Sequence, residues 1–333
     1  MKLIVTKEKD FLLVISLIQK AKQNAFLAVN TELIDLYWNI GEYISNKIKS
    51  TQWGESVVKE LARFISQEYP HFKGYSDKNL WRMKQFYEAY EDEIKLSALL
   101  RQISWTNNLL ILSKTKSTEE KEFYLELSIK EKYSSRELER QIDSGYFERS
   151  MLSPKKLSAL LRQTRPELTT VFKDTYIIDF LELPKKYSEK EMSVALIKNF
   201  KKFILELGKD FAFIGEEYKV QVGKSDYFID LLFYHRGLQC LVAFELKIDD
   251  FKPEFLGKLN FYLEALDRDV KKKHENPSVG IILCKSKDEE VVEYALSRSL
   301  SPALVSEYKI KLIDKKILQK KLHELYDLSL RKD

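Results

Sequence analysis

The stretch from Tyr227 to Lys247, YFIDLLFYHRGLQCLVAFELK, decides the fold of this chain. It contains two apolar runs rich in aromatic and branched residues, which predict two adjacent β-strands joined by a turn. Asp230 interrupts the first run, and Glu245 and Lys247 interrupt the second. A carboxylate in apolar surroundings is costly unless it is paired or coordinates a metal. The two acids and the lysine therefore predict a site that binds a divalent cation together with an anion.

The turn of this hairpin sets the predicted geometry. We expect Arg236-Gly237 to form a two-residue turn, with a positive φ at the glycine, so that His235 pairs with Leu238. Because residues two apart on a strand share a face, four residues are expected on one face of the sheet: Asp230, Ala243, Glu245 and Lys247. The two acids become diagonal neighbours, roughly 7 Å apart at their Cα atoms. Acids at that separation can share one Mg²⁺, whereas a one-residue bulge would break the arrangement.

Each of these residues also has a simpler interpretation. Asp230 could be a solvated acid at a strand edge, and Glu245 with Lys247 could form an ion pair on an exposed strand face. An isolated Glu-x-Lys carries almost no information. The combination with Asp230, in strands that are otherwise apolar, favours the cation site because several independent features agree.

Length and composition limit the class of protein. At 333 residues the chain is long enough for two domains, and its net charge of +5 is compatible with a polyanionic partner without proving one. The 4 histidines and 2 cysteines are scattered without zinc-ligand spacing, and no disulfide is indicated. The first residues lack a small-residue cleavage site, and no apolar run reaches membrane-spanning length. A cytoplasmic protein without a membrane partner is therefore expected.

Helical spacing dominates the first part of the chain, and helix alternates with strand in the second. The predicted N-terminal helices cover residues 8–29, 31–49, 55–69, 76–90, 94–113, 118–130 and 136–149. In the C-terminal part, helices over 188–208, 253–270, 287–299 and 315–328 alternate with strands over 211–222, 226–234, 239–247, 278–284 and 303–308. We place the boundary near 165–175. This gives a mainly α-helical domain over 1–170 and an α/β domain over 171–333 with a mixed central sheet flanked by helices.

Basic residues recur in both parts. In the N-terminal part they lie on or beside two predicted helices: Lys78, Arg82 and Lys84, then Arg136, Arg140 and Arg149. Several short helices with basic positions suit a helix-turn-helix-like module that binds nucleic acid, and an oligomerisation or partner-binding domain fits equally. The run Lys271–Lys273 and the later lysines are either solvated faces or phosphate contacts. The four tryptophans are expected in the core.

The second part resembles the PD-(D/E)XK nuclease superfamily, which has a restriction-endonuclease-like fold. Helix, strand, Asp-bearing strand, Glu-x-Lys strand, helix and strand follow in the order of that fold's core. The segments FIDLLFYHRGLQCLVAFELK, PEFLGKLNFYLEALDRDV and ENPSVGIILC look like those of YhcG-type proteins, a bacterial group with a helical domain before such a nuclease domain. YWNIGEYI, ISWTNNLL and SSRELERQI resemble the same group, so the resemblance spans nearly the whole chain.

This resemblance implies roles for individual residues. Asp230 and Glu245 would be the ligands of Mg²⁺, for which Mn²⁺ could substitute. Lys247 would stabilise developing negative charge or orient the attacking water. Glu191 would be the additional acid on the first helix of the domain. Because Ser188-x-x-Glu191 is also a capping box, Glu189 is the alternative acid.

The helix after Lys247 departs from one subtype of the superfamily. Relatives of the recombination-nuclease type carry Gln-x-x-x-Tyr there, whereas this chain has Lys258 and Tyr262. A lysine cannot accept a hydrogen bond as glutamine does, so the role of that glutamine is not carried over. Lys258 could instead contact a substrate phosphate. Tyr262 is either a second substrate contact or a core aromatic.

The predicted activity is metal-dependent hydrolysis of phosphodiester bonds in nucleic acid, with DNA favoured over RNA, by an endonuclease or an exonuclease. One alternative is a nuclease-fold protein without activity that binds nucleic acid or acts in assembly. A second is an RNA-directed nuclease, which these residues do not separate from the first. A homo-oligomer is compatible with the helical domain.

Overall fold

In a computed structural model of the protein, the described residues are 2–50, 53–152, 168–297, 299 and 301–330. The chain divides into two compact units, Met1–Ile142 and Asp143–Asp333. The first unit is helical, and the second contains a six-stranded sheet with helices. The predicted boundary near residue 170 stays a prediction, because residues 153–167 lie outside the described residues.

The first unit is built from helices alone among its described residues. They are α1 (Lys2–Lys49), α2 (Glu55–Glu68), α3 (Asp77–Tyr90), α4 (Ile94–Leu100), α5 (Trp105–Lys114), α6 (Thr118–Glu131) and the start of α7 (Ser135–Asp143). The two helices predicted over 8–49 are one continuous helix. The helix predicted over 94–113 is two, because the Ser104 hydroxyl accepts a hydrogen bond from the amide of Asn107 and caps a new helix. The predicted cap at Ser76 is confirmed, since its hydroxyl accepts from the amide of Asn79.

Close packing of α1 on α3 forms the centre of the first unit. A Cβ atom on Gly41 would lie 2.2 Å from the carbonyl oxygen of Met83, so only glycine permits this approach. Aromatic rings fill the surrounding space, with centroids 4.7 Å apart for Tyr37 and Trp105 and 5.1 Å apart for Trp38 and Tyr87. These contacts place both tryptophans against core side chains. Neither α1 nor any other helix of the described residues is long and apolar enough to cross a membrane.

The second unit holds a mixed sheet. Its strands are β1 (Thr175–Ile177), β2 (Phe211–Val222), β3 (Ser225–His235), β4 (Cys240–Leu246), β5 (Val279–Cys284) and β6 (Ala303–Lys309), in the order β1-β6-β5-β4-β3-β2. Pairing is antiparallel from β2 to β4 and parallel from β4 to β1. The helices are α8 (Tyr146–Leu152), α9 (Leu168–Val171), α10 (Glu189–Lys198), α11 (Phe200–Leu207), α12 (Phe255–Ala265, continued by a π-helical turn Leu266–Val270), α13 (Glu289–Leu296) and α14 (Lys315–Leu330).

Helices cover both faces of this sheet. On one face, Phe233 and Phe244 pack with Met192 of α10 and Phe203 of α11. On the other face, strand residues such as Ala243 pack with α12 and α13. Strands buried on both faces read as nearly continuous apolar runs, which explains why β4 and β5 are wholly buried and were visible in the sequence. The predicted mixed sheet flanked by helices is confirmed.

The β3–β4 turn differs from the prediction. His235 pairs with Cys240 rather than Leu238, so the loop has four residues. The positive φ falls at Gln239 (+49°) and not at Gly237. The loop is held by contacts that a hairpin pattern does not reveal, including the amide of Arg236 donating to the carbonyl of Asp210 at 2.8 Å. The register moves by two residues, so every side chain keeps its predicted face.

Two helix predictions also need correction, and one strand was not predicted. The helix predicted over 188–208 is interrupted at Asn199, which ends α10 and begins α11. The helix predicted over 136–149 is interrupted at Gly145, whose φ of +63° lies in the left-handed region. β1 was not predicted, because a strand of three residues is too short to show a period.

Candidate active site

Asp230 and Glu245 lie on neighbouring strands at the same level of the sheet. The antiparallel pairs of β3 and β4 run from His235 with Cys240 to Leu231 with Phe244. The next pair in this register is Asp230 with Glu245. The two acids are therefore direct cross-strand partners rather than the predicted diagonal neighbours, which brings their Cα atoms closer together. They share the face on which Ala243 and α12 pack.

Glu245 is a fully buried carboxylate with an uneven set of partners. Its side chain has 0% exposure. Its Oε1 atom lies 2.5 Å from the ammonium nitrogen of Lys258 and 3.0 Å from the ammonium nitrogen of Lys247. Its Oε2 atom has no hydrogen-bond partner within the part of the chain that the structure describes. A buried acceptor without a partner costs free energy, so this oxygen is available for a ligand that the protein itself does not supply.

The negative charge of Asp230 is destabilised by its surroundings, which include Glu245. Its Oδ2 atom accepts a hydrogen bond from the backbone amide of Leu246 at 2.7 Å. Burial, followed by the negative charge of Glu245, raises the pKa of Asp230 to about 6, although the Leu246 amide and the two nearby lysines act in the opposite direction. The charged form of Asp230 is therefore disfavoured, and a cation between the two acids would relieve it.

Lys247 is held in place from three sides. Its ammonium group donates to the Leu246 carbonyl at 3.0 Å and contacts Glu189 at 2.9 Å, in addition to Glu245. The side chain is 12% exposed, and its nitrogen lies 5.5 Å from the centre of the Phe255 ring. Burial lowers the pKa of Lys247, but the hydrogen bonds and charges of the two glutamates outweigh it and the net shift is upward. This residue is a fixed positive charge beside the acids.

Lys258 and Tyr262 extend from α12 over the same site. They are separated by one helical turn, and the Lys258 ammonium group lies 5.3 Å from the centre of the Tyr262 ring. The Tyr262 hydroxyl donates to the carbonyl oxygen of Phe228 at 2.7 Å, which ties α12 to β3. Burial lowers the pKa of Lys258. The hydrogen bond to Glu245 and the negative charge of Glu245 raise it by more, so the net shift of the pKa is upward.

The two candidate acids of α10 have different surroundings. Glu191 accepts hydrogen bonds from the backbone amide and the hydroxyl of Ser188, and these contacts complete the capping box. Glu189, one residue after the cap, contacts Lys247 directly. The structure therefore leaves Glu191 at the helix cap. It brings five other candidate residues together with Glu245: Asp230, Lys247, Lys258, Tyr262 and Glu189. The contact of Lys258 with Glu245 was not predicted, since a helix pattern does not tell which strand residue lies beneath it.

The donor set fits a hard divalent cation. Two carboxylates on adjacent strands offer oxygen ligands, which Mg²⁺ and Mn²⁺ prefer, and the Oε2 atom of Glu245 lacks a partner. Across the described residues, no group of three or more histidine, cysteine, aspartate or glutamate side chains could hold a metal. The protein thus supplies two acidic ligands, and water or substrate would complete the coordination, as is usual for Mg²⁺.

Two of the basic residues considered for a nucleic-acid-binding module, Arg149 and Lys84, have partners within the protein. Arg149 is 5% exposed and donates to the carbonyl oxygens of Thr175 at 2.8 Å and Ser144 at 3.1 Å. It fixes the end of α8 within the second unit and does not face solvent. Lys84 of α3 forms an ion pair with Glu88 at 2.7 Å. Neither residue behaves as a free phosphate contact.

A mixed sheet with an Asp-bearing strand, a Glu-x-Lys strand and helices on both faces defines a PD-(D/E)XK nuclease-type domain. Residues 169–323 match the family model described as the YhcG PDDEXK nuclease domain, and residues 13–149 match the DUF1016 N-terminal domain. YhcG of Escherichia coli (strain K12), named as a candidate nuclease, is 30% identical over 347 residues that cover 93% of this chain and 92% of that protein. The chain belongs to the YhcG family of PDDEXK-type nucleases.

A solved structure is also similar in part. The crystal structure of a repair endonuclease from Pyrococcus abyssi aligns with 39% of this chain and 50% of its own, at 17% identity. Its TM-score of 0.26 is too low to carry an argument. The family assignment therefore depends on the sequence matches and on the sheet itself.

Proposed function

We propose that this protein hydrolyses phosphodiester bonds of nucleic acid, with DNA as the favoured substrate, at the site formed by Asp230, Glu245 and Lys247. The observation that supports the proposal most is the fully buried carboxylate of Glu245. One of its oxygens has no partner among the described residues, and it lies beside a second, partly buried acid. Leaving a buried acceptor unsatisfied is expensive, and this one belongs to a carboxylate that faces Asp230 on the neighbouring strand. The unpartnered oxygen is therefore interpreted as a ligand position.

Asp230 and Glu245 are the residues that would hold Mg²⁺, with Mn²⁺ as a substitute. When bound, such an ion lowers the pKa of a coordinated water and polarises the phosphoryl oxygen. The two acids orient the ligand, since both are carried by rigid neighbouring strands. The covering helices limit access of bulk water to the sheet face on which the acids lie.

Lys247 has one role that its surroundings favour. The two glutamates raise its pKa, which favours the protonated amine at neutral pH. A fixed cation is effective where negative charge grows on the phosphoryl oxygens during attack by water. Glu189 and the Leu246 carbonyl keep this ammonium group in position. We therefore assign charge stabilisation to Lys247 and positioning of Lys247 to Glu189.

The roles of Lys258 and Tyr262 follow from their exposure. Lys258 is 48% exposed, so its ammonium group can reach a substrate phosphate, as proposed from the sequence. Tyr262 is 3% exposed and its hydroxyl is engaged with Phe228. We propose that Tyr262 positions α12 and that Lys258 alone of the two meets the substrate.

The test is a cleavage assay with Mg²⁺ or Mn²⁺ on linear, circular, branched and single-stranded DNA and on RNA. Wild-type protein is compared with Asp230→Ala, Lys247→Ala and an EDTA control. Asp269→Ala and Lys252→Ala are matched controls, because both are exposed residues of the same unit outside the site. We expect loss of cleavage by more than about 100-fold in the two site variants, since loss of a mere supporting partner costs 10–100-fold. Cleavage at the wild-type rate in both would reject these assignments.

One observation favours the alternative of a nucleic-acid-binding protein without activity. The ammonium group of Lys258 already neutralises an oxygen of Glu245, which a metal would also use. Binding of DNA without cleavage, under every metal and substrate condition of the assay, would support this alternative. Cleavage that disappears in Asp230→Ala would exclude it.

A further inference from the structure

Two ammonium groups converge on the same oxygen of Glu245, and they are not equivalent. We propose that Lys258 is a resident counter-ion of Glu245, which a divalent cation must displace, so that Lys258 sets the affinity of the site for metal. This proposal rests on the proposed function, because it concerns the metal that the nuclease would use. It assigns Lys258 a positioning role in metal loading in addition to contact with substrate.

The partners of the two lysines identify the one that can leave. Lys247 is 12% exposed and keeps Glu189 and the Leu246 carbonyl if it loses Glu245. Lys258 donates to the Oε1 atom of Glu245, lies 5.3 Å from the centre of the Tyr262 ring and is 48% exposed. Its ammonium group can therefore move into water, where it is strongly hydrated.

Charge balance explains why Lys258 and a metal compete. The site contains three carboxylates, Asp230, Glu245 and Glu189, and two lysines, so its formal charge without metal is −1. Lys247 and Lys258 already contact the same buried carboxylate, that of Glu245. A divalent cation bound to the acids would add two positive charges beside these two lysines. Like charges in a site of low dielectric repel strongly. Departure of Lys258 relieves this repulsion and frees the Oε1 atom for coordination.

The helix fixes where Lys258 returns. Tyr262 lies one turn later on α12 and is tied to β3 through the Phe228 carbonyl. The Lys258 backbone is therefore held over Glu245 whether or not the ammonium group is bound there. Metal loading thus exchanges one cation for another without requiring α12 to move.

The proposal is tested by binding of Mn²⁺ alone, followed by electron paramagnetic resonance of the free ion in the absence of nucleic acid. Wild-type protein is compared with Lys258→Met, which keeps the length of the side chain and removes the charge. Lys252→Met is the matched control, because it removes an exposed lysine near the start of the same helix. We expect Lys258→Met to bind Mn²⁺ about 10- to 100-fold more tightly, since a hydrogen bond to a charged group no longer has to be broken.

Lys258→Arg and a double variant sharpen the result. We expect Lys258→Arg to bind Mn²⁺ no more tightly than wild type, because the competing charge is retained. Asp230→Asn in the Lys258→Met background should remove the tight binding, which locates it at this site. Thermal melting of each variant by circular dichroism confirms that all of them fold.

The outcomes separate this inference from the function on which it rests. Equal or weaker Mn²⁺ binding by Lys258→Met, with cleavage intact in the wild type, overturns the counter-ion role alone. Failure of every variant to bind Mn²⁺ overturns both the counter-ion role and the metal-dependent function. Tighter binding by Lys258→Met but not by Lys252→Met supports the proposal.

Discussion

Glu206 and Glu245 are buried carboxylates of the second unit that contact lysines, and their surroundings differ. Glu206 of α11 accepts from the Lys173 ammonium group at 3.0 Å and from the Ile177 amide at 3.1 Å on its Oε1 atom. Both members of this ion pair are buried, with side-chain exposures of 6% and 1%. Glu245 is equally buried, but one of its oxygens meets no partner in the described ranges, and one of its two lysines is half-exposed.

The difference distinguishes an acid that holds the fold together from one that is available for chemistry. Lys173 also lies 4.6 Å from the centre of the Tyr146 ring, so the Glu206 pair is packed on all sides. Breaking such a pair leaves an uncompensated buried charge. Glu245, by contrast, faces Asp230, whose negative charge is disfavoured. The half-exposed Lys258 compensates part of the negative charge of Glu245. Burial alone therefore does not indicate function. At Glu245 three features occur together: an unpartnered oxygen, a second acid and a half-exposed lysine.

The largest expected effect is the loss of stability in Glu206→Gln. Lys173 would keep its charge and lose the carboxylate of Glu206, and breaking a buried ion pair costs about 3–5 kcal/mol of the free energy of unfolding. Glu245→Gln is the matched change, and we expect it to alter stability by less than about 1 kcal/mol, since Lys247 keeps Glu189 and Asp230 loses a like charge. Urea denaturation of both variants measures the contrast. Similar losses in the two would remove the distinction between the sites.

Asp230→Asn should stabilise the metal-free protein. Between about pH 4 and 6 the folded chain holds the Asp230 proton while the unfolded chain has released it, so the free energy of unfolding falls as pH rises through this window. A pKa of about 6 in place of the usual 3.8 corresponds to about 3 kcal/mol against the charged form. We expect the variant to gain stability of that order at pH 7.5 in EDTA and to gain none below about pH 4.

Measuring the stability gained by Asp230→Asn at several pH values provides an internal control for the cause of that gain. A gain that is constant from pH 3.5 to pH 7.5 would show that burial of the charge is not the cause. Asp226→Asn, at an exposed position of the same strand that pairs with Lys219, should show no such gain.

The pH dependence of cleavage should follow the same carboxyl group. Because a metal ligand must be deprotonated, cleavage should fall about tenfold for each pH unit below an apparent pKa at or below 6. Raising the Mg²⁺ concentration should move this midpoint to lower pH, since the ion favours the charged form. Initial rates between pH 5 and 8 at two Mg²⁺ concentrations provide the measurement. A rate independent of pH over that range would contradict the role of Asp230.

The smallest contrast concerns the two acids of α10. Glu191→Ala removes half of the capping box and should cost about 1 kcal/mol of stability with little change in cleavage. Glu189→Ala frees Lys247 and should lower kcat about 10- to 100-fold with little change in stability. Paired melting curves and cleavage rates decide between them. The reverse pattern would make Glu191 the additional acid of the site.

Much of the site could be read from the sequence because it depends on side-chain alternation. Asp230, Glu245 and Lys247 interrupt apolar runs, and strands buried on both faces make such interruptions conspicuous. Their common face survived a wrong turn prediction, because the register changed by an even number of residues. Their exact spacing did not survive, since the turn is held by Asp210, a residue 26 positions before Arg236.

The sequence by itself determined which strands carry the acids and the lysine, because periodicity and apolar composition are local properties. Only the tertiary structure decided that Lys258 rather than a water or a backbone amide meets Glu245, and that Glu189 rather than Glu191 meets Lys247. These contacts join residues 13 and 58 positions apart, and they depend on how α10 and α12 lie on the sheet. Side chains on a helix point in every direction around its axis, so the partner of each one is set by packing and not by its neighbours in the chain.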